Sequence, residues 1–250
     1  MGRIDDALRK TTGKESKQPE TNTEQAASFG QYGFPIADFT GPSSLAESYR
    51  TLRTNIQRQT RTKGAKIILI ASASKGDGRT QTVANLAVVA SAIEANQTLL
   101  IDADLRHPQI HDIFGIGKSP GLSNFLQGAV AQSEIVHPTQ IGNLKIIPSG
   151  DAPQNPAELF HSPKLSELLQ ELKSQYDMIF LDSAPVIPFT DSVVLGTHVD
   201  AIVLVVRARQ SRREVVGRAK DLLNKSEQKI VGVILNRIEY VMPQTLYRKL

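Results

Sequence analysis

Four short apolar runs constrain the fold more than anything else in the chain. They read IILIA (67–71), TLLID (98–102), MIFLD (178–182) and AIVLVV (201–206). Each is too short for a helix spanning a core and is almost wholly apolar. None alternates with polar residues, so both faces of each strand must be buried, which is the signature of a parallel sheet covered by helices on both sides. Strands are expected over 66–72, 98–102, 144–148, 178–182, 201–207 and 230–236. Stretches of helical period fall between them over 80–95, 162–174 and 212–225. A further helix is expected over 44–59, where Leu45, Tyr49, Leu52 and Ile56 recur at helical intervals behind a Ser43/Ser44 cap. The fold class is α/β: a doubly wound, mainly parallel sheet.

The chain has 250 residues, and 40% hydrophobic content is enough for the core of one such domain over 43–250. Residues 1–42 differ. Ile4, Ala7 and Leu8 share one face of a short amphipathic helix, and the polar stretch that follows buries too little apolar surface to offset its ordering entropy. We expect a linker there. With 0 Cys, disulfides and thiolate metal sites are excluded, in keeping with a reducing cytosol. No signal-peptide core is evident, and no apolar run approaches the ~18 residues of a spanning helix. Any membrane association would be peripheral. The segment 207–250 carries 11 Lys/Arg against 4 Asp/Glu, and a solvated basic face explains that better than an anionic partner such as lipid head groups or nucleic acid.

Between the first strand and its helix lies Ala73-Ser74-Lys75-Gly76-Asp77-Gly78-Arg79-Thr80. Its spacing is that of the phosphate loop G-x-x-x-x-G-K-[ST], with Ala73 at the first glycine and Arg79 at the lysine. Glycines let backbone N–H groups curl around a phosphate, the helix beyond contributes the positive end of its dipole, and the Thr80 hydroxyl can ligate Mg²⁺. Ser74, Lys75, Gly76, Asp77, Gly78, Arg79, Thr80 and Gln81 are therefore the candidate phosphate-binding residues, with a plain glycine turn as the alternative that the loop alone leaves open.

Two other strands end in carboxylates. Asp102 closes one, with Asp104 two residues on, and Asp182 closes another. In open parallel sheets the ligand lies beyond the carboxyl ends of the strands. An aspartate ending a buried strand is costly unless it meets a cation or caps the next element. Three of them beside a phosphate loop point to a Mg²⁺–nucleotide site. His107 and His111 stand four apart, but Pro108 interrupts any helix there, so a surface role is the simpler reading.

In order, the loop, DADLRHP (102–108) and DSAP (182–185) resemble the Walker A, A′ and B motifs of the bacterial tyrosine kinases. These P-loop enzymes regulate capsule and exopolysaccharide synthesis and are related to the ParA and MinD ATPases. The resemblance runs from about Pro42 to Arg237 and includes IPSGDAPQNPAELFHS (147–162). It also includes Glu47, Arg50 and Arg53, a stripe similar to that family's self-association helix, which implies a homo-oligomer.

The resemblance implies an ATP- and Mg²⁺-dependent tyrosine autokinase. Thr80, Asp104 and Asp182 would hold the metal, Asp102 would accept the tyrosine proton, Arg79 would serve the phosphates and Asn236 the adenine side. It implies a cytoplasmic protein, peripheral at the inner face of the plasma membrane, that works with the cytoplasmic tail of an integral-membrane polysaccharide chain-length regulator. Two departures stand out besides Ala184 at the place of a second proline. Arg79 keeps the lysine's charge in a bulkier planar group that is not interchangeable at a close phosphate site. The family's tyrosine cluster is reduced to Tyr240 and Tyr247 as possible phosphoacceptors. Two alternatives follow: a nucleotide-binding scaffold with little catalysis, motivated by Arg79, and a ParA/MinD-type positioning ATPase. Against the latter, Ser74 stands where that group carries its signature lysine.

Overall fold

The computed structural model describes residues 44–60, 64, 66–93, 96–226 and 230–238. The helix and linker expected within 1–42, and both Tyr240 and Tyr247, lie outside the described residues. Among the described residues seven strands form one sheet: β1 (Ile67–Ser72), β2 (Thr98–Ala103), β3 (His137–Pro138), β4 (Leu144–Ile147), β5 (Met178–Ser183), β6 (Ala201–Arg207) and β7 (Ile230–Asn236). Their spatial order is β3-β4-β2-β5-β1-β6-β7, parallel throughout except for the two-residue β3 against β4.

Every residue of β1, β2 and β5 is buried, as their place at the centre of the sheet requires. Helices cover both faces. On one lie α1 (Ser44–Thr60) and α2 (Arg79–Ser91), with α3 (Ile110–Phe114) beside them. α1 packs over α2 through Ala46 and Ile56, so α2 is buried nearly all round, and its Val83, Leu86, Ala87 and Ala90 need no polar stripe. The other face carries the short helices α4 (Leu122–Leu126), α5 (Gln132–Ile135), α6 (Pro156–Phe160) and α8 (Asp191–Gly196), together with α7 (Pro163–Gln175) and α9 (Arg213–Leu223). α7 starts on a Ser162 cap with Pro163 in its first turn, and buries Leu165, Leu168, Leu169 and Leu172 along one stripe. Truncating one of these leucines to alanine costs about 2–5 kcal/mol.

The expected strands and long helices form within a few residues of the periods that revealed them. The five helices of four to six residues were not expected, because a single turn is too short to show a period. The strand order decides where chemistry can sit. From β1 the chain passes over the place of β5 to form β2, then returns to insert β5 between them, so the carboxyl ends of β1, β2 and β5 meet at the crevice where connections diverge.

Candidate nucleotide site

The loop after β1 is held by its own side chains. Gly76 and Gly78 take φ of 89° and 88°, a left-handed backbone that only glycine adopts freely. At Gly78 a Cβ would also lie 2.0 Å from Asn236 Nδ2, so a side chain there would push the Asn236 amide off the loop. Asp77 is buried and braces the turn: its Oδ2 accepts the Ser74 N–H at 2.9 Å, and its Oδ1 accepts the Ser211 hydroxyl at 2.7 Å. Asn236, at the end of β7, donates Nδ2 to the Asp77 carbonyl at 2.9 Å. Ser211 was not found by sequence reasoning, because a serine in a loop 134 positions away carries no local signal.

This loop borders a cavity of about 750 Å³ at the carboxyl ends of the strands. Ser74, Lys75, Gly76, Gly78, Thr80 and Gln81 line it, with Asp77, Arg79 and Asp104. Asn236 lines it from the β7 side, while His107, Pro185 and Phe189 close the opposite wall.

The acidic strand ends do converge. Asp102 and Asp182 are register partners across β2 and β5, and both are fully buried. Arg79 turns into the group: its Nε donates to Asp182 Oδ1 at 2.6 Å, Nη2 to Asp104 Oδ2 at 2.8 Å and Nη1 to Ser72 Oγ at 3.3 Å. The residue expected to serve phosphates thus sits, in this structure, on the two carboxylates expected to serve the metal. Burial by itself would lower the Arg79 pKa, but Asp182 and Asp104 outweigh it and hold the guanidinium firmly charged. One arginine does not balance three carboxylates. Burial keeps the Asp182 carboxyl above the ordinary range despite Arg79, and drives the Asp102 carboxyl well above it, with repulsion from Asp182 adding to the effect.

Neither Asp102 nor Asp182 lines the cavity itself; Asp182 stands directly behind Thr80 and Arg79. The oxygens of Asp102 accept the backbone N–H groups of Asp104 (3.2 Å), Gln109 (3.2 Å) and Ile110 (3.1 Å), so it also caps the start of α3. Asp104 accepts the His107 N–H at 3.0 Å through its second oxygen. His107 is exposed, and the His111 ring lies 3.5 Å from Asp112.

Whether the residues fit a divalent cation is decided by the donor set. Thr80 lies beside Asp182 and helps to hold its carboxyl down against burial, and Asp182 Oδ2 is buried with no partner among the described residues. Hard oxygens with spare valence are what Mg²⁺ takes. Among the described residues no group of three or more His, Cys, Asp or Glu is disposed to hold a metal alone. The fit is therefore to a cation completed by phosphate and water oxygens, the usual Mg²⁺ arrangement.

Arg106 ties the crevice wall together, and sequence reasoning missed it. It forms a bidentate pair with buried Asp191, Nε to Oδ2 at 2.7 Å and Nη2 to Oδ1 at 3.0 Å, and its guanidinium lies 4.1 Å from the centre of the Phe189 ring. It thereby joins the loop after β2 to the segment that follows β5. An arginine and an aspartate 85 positions apart give no sequence signal of pairing.

The stripe on α1 is divided. Arg50 pairs with Glu47 within the helix at 3.3 Å, whereas Arg53 donates Nη1 to the Val89 carbonyl in the last turn of α2 at 3.0 Å, a favourable place for a cation.

Comparison with known proteins agrees with the geometry. Residues 63–249 match the family model described as ParA: NUBPL iron-transfer P-loop NTPase. The tyrosine-protein kinase YwqD of Bacillus subtilis is 37% identical over 202 residues, 80% of this chain and 85% of that protein. Among solved structures, the chimerical protein CapA2B2 matches with a TM-score of 0.76 at 31% identity, over 80% of this chain and 87% of the other. The kinase domain of the Escherichia coli tyrosine kinase ETK matches with a TM-score of 0.73 at 27% identity, over 79% and 78%. The chain belongs to the ParA-type P-loop NTPases and, within them, to the bacterial tyrosine-protein kinases.

Proposed function

We propose that this chain transfers the terminal phosphoryl group of ATP to tyrosine hydroxyls, its own included, and thereby regulates capsule or exopolysaccharide synthesis. The observation that carries the reading is the meeting of Thr80, Arg79 and Asp104 on one cavity, with Asp182 bonded to Arg79 behind them, beside a glycine loop at a helix N-terminus. In the reaction the bond from the terminal phosphorus to the departing ADP oxygen breaks and one to the phenolic oxygen forms, with the phenolic proton passing to a base. The amides of Gly76 and Gly78 would hold the phosphates. Mg²⁺, bound by Thr80, Asp104 and Asp182 with phosphate oxygens, would neutralise charge on the transferred group. Asp102 is the proposed proton acceptor by its place in the motif; it stands behind the cavity wall, two residues before Asp104. Asn236 holds the loop on the side where the adenine is proposed to lie.

Glu47, Arg50 and Arg53 are proposed to mediate self-association, and Tyr240 and Tyr247 to accept phosphate. No helix among the described residues is long and apolar enough to cross a membrane. The proposed partner is the cytoplasmic tail of an integral-membrane chain-length regulator, which would place the chain at the inner membrane face.

Incubation with Mg-ATP should yield phosphotyrosine detectable by antibody, and Asp102→Asn should reduce it ~10²–10⁴-fold. Calorimetry showing no nucleotide affinity in the presence of Mg²⁺ would remove the reading altogether. A second reading, a nucleotide-dependent scaffold, is favoured by the engagement of Arg79 with the metal carboxylates. It predicts that Arg79→Lys raises phosphotyrosine formation with little change in nucleotide affinity, and it loses its motive if the parent chain is already active.

A further inference from the structure

Arg79 is fully committed within the site. Three of its nitrogens donate to Asp182, Asp104 and Ser72, and its side chain is only 7% exposed. A guanidinium reaches two carboxylates at once through separate nitrogens, which a compact ammonium does far less well. The two carboxylates proposed for the metal therefore already share a cation. A divalent ion entering beside it would place like charges together in a buried site, and would compete for Asp182 Oδ1 and Asp104 Oδ2. Phosphates change that balance, because they offer the guanidinium a second set of anionic oxygens along the same loop.

We propose that Arg79 is a resident cation that keeps divalent metal off Asp104 and Asp182 until nucleotide phosphates draw the guanidinium away. Metal and nucleotide are then taken up together rather than metal first. The unpartnered Asp182 Oδ2 marks where the metal's share of the site is left open. This inference rests on the nucleotide-pocket reading, and concerns how that pocket is charged when no nucleotide is present.

The test uses the full chain freed of metal and nucleotide. Mn²⁺ binding is followed by the paramagnetic resonance of the free ion, and thermal unfolding is recorded with and without millimolar MgCl₂. The parent should show no Mg²⁺-dependent rise in Tm. Arg79→Ala should bind Mn²⁺ roughly tenfold more tightly than the parent, and its Tm should rise by about 5 °C with Mg²⁺. Equal Mn²⁺ affinity in parent and variant, or no Mg²⁺ response in the variant, would overturn the proposal. Should Arg79→Ala fail to fold without metal, Arg79→Gln carries the same comparison, with the same results supporting or overturning it. ADP binding to the parent, measured separately by calorimetry with Mg²⁺, distinguishes failure of this inference from failure of the pocket reading.

Discussion

The two ends of the central sheet each set aspartates against cations, with opposite outcomes. At the amino ends of the strands, Asp200 accepts the backbone N–H groups of Lys66 and Ile67 through Oδ2, both at 2.8 Å, and Lys173 Nζ through Oδ1 at 2.5 Å. Lys66 Nζ is itself satisfied by the carbonyls of Lys173 (3.1 Å) and Tyr176 (3.0 Å). Burial would raise the Asp200 carboxyl, but Lys173 and the two backbone donors outweigh it and hold it below the ordinary range. At the carboxyl ends, Asp102 and Asp182 are both raised, and one Asp182 oxygen has no partner among the described residues. A fully satisfied cluster closes a fold, whereas one with excess negative charge is poised to accept a ligand.

The largest effect is expected at Arg79. Replacing it with alanine leaves buried carboxylates without their cation and should cost about 3–5 kcal/mol in metal-free denaturant unfolding. A loss no larger than that of a surface substitution would mean that the carboxyl-end cluster is not held by this pair. At the other end, Asp200→Ala should cost about 1–3 kcal/mol by leaving two backbone donors and Lys173 unmet, while ADP affinity stays at the parent value. A large change in affinity would abolish the division between a structural end and a functional one.

Acid probes the same contrast. Because the folded pKa of Asp200 lies below its unfolded value of about 3.9, its contribution is fully present above that pH and is lost as pH falls through the lowered folded value. Melting curves of parent and Asp200→Asn should therefore converge on acidification through that window. Parallel curves would show that the carboxylate is not what Lys173 and the backbone stabilise. The smallest effect on stability is expected from the joint replacement of Glu47, Arg50 and Arg53 by alanine. The exposed Glu47–Arg50 pair contributes at most about 1 kcal/mol and the Arg53 bond to the Val89 carbonyl about 1 kcal/mol more, so sedimentation rather than melting is the measurement. An unchanged association state at every concentration would remove the interface proposal.

Much of this was legible in the sequence because it is local. The apolar runs of β1, β2, β5 and β6 report burial on both faces, and the Leu165, Leu168, Leu169 and Leu172 spacing reports one helix stripe. Gly76 and Gly78 report the loop. What was not legible is pairing between distant segments. Ser211 on Asp77, Arg106 on Asp191 and Lys173 on Asp200 join residues whose separations carry no periodic signal.

Neighbouring residues alone dictated the six longer strands, the four long helices, the phosphate loop and the presence of carboxylates at strand ends, since periodicity, glycine and strand termini are local properties of a chain. The packing of distant segments settled that β5 lies between β1 and β2, which sets Asp102 beside Asp182 and brings both within reach of the loop. It also settled where Arg79 points. A buried cationic side chain goes to whichever opposite charge the fold places nearest, and here the fold places two carboxylates there.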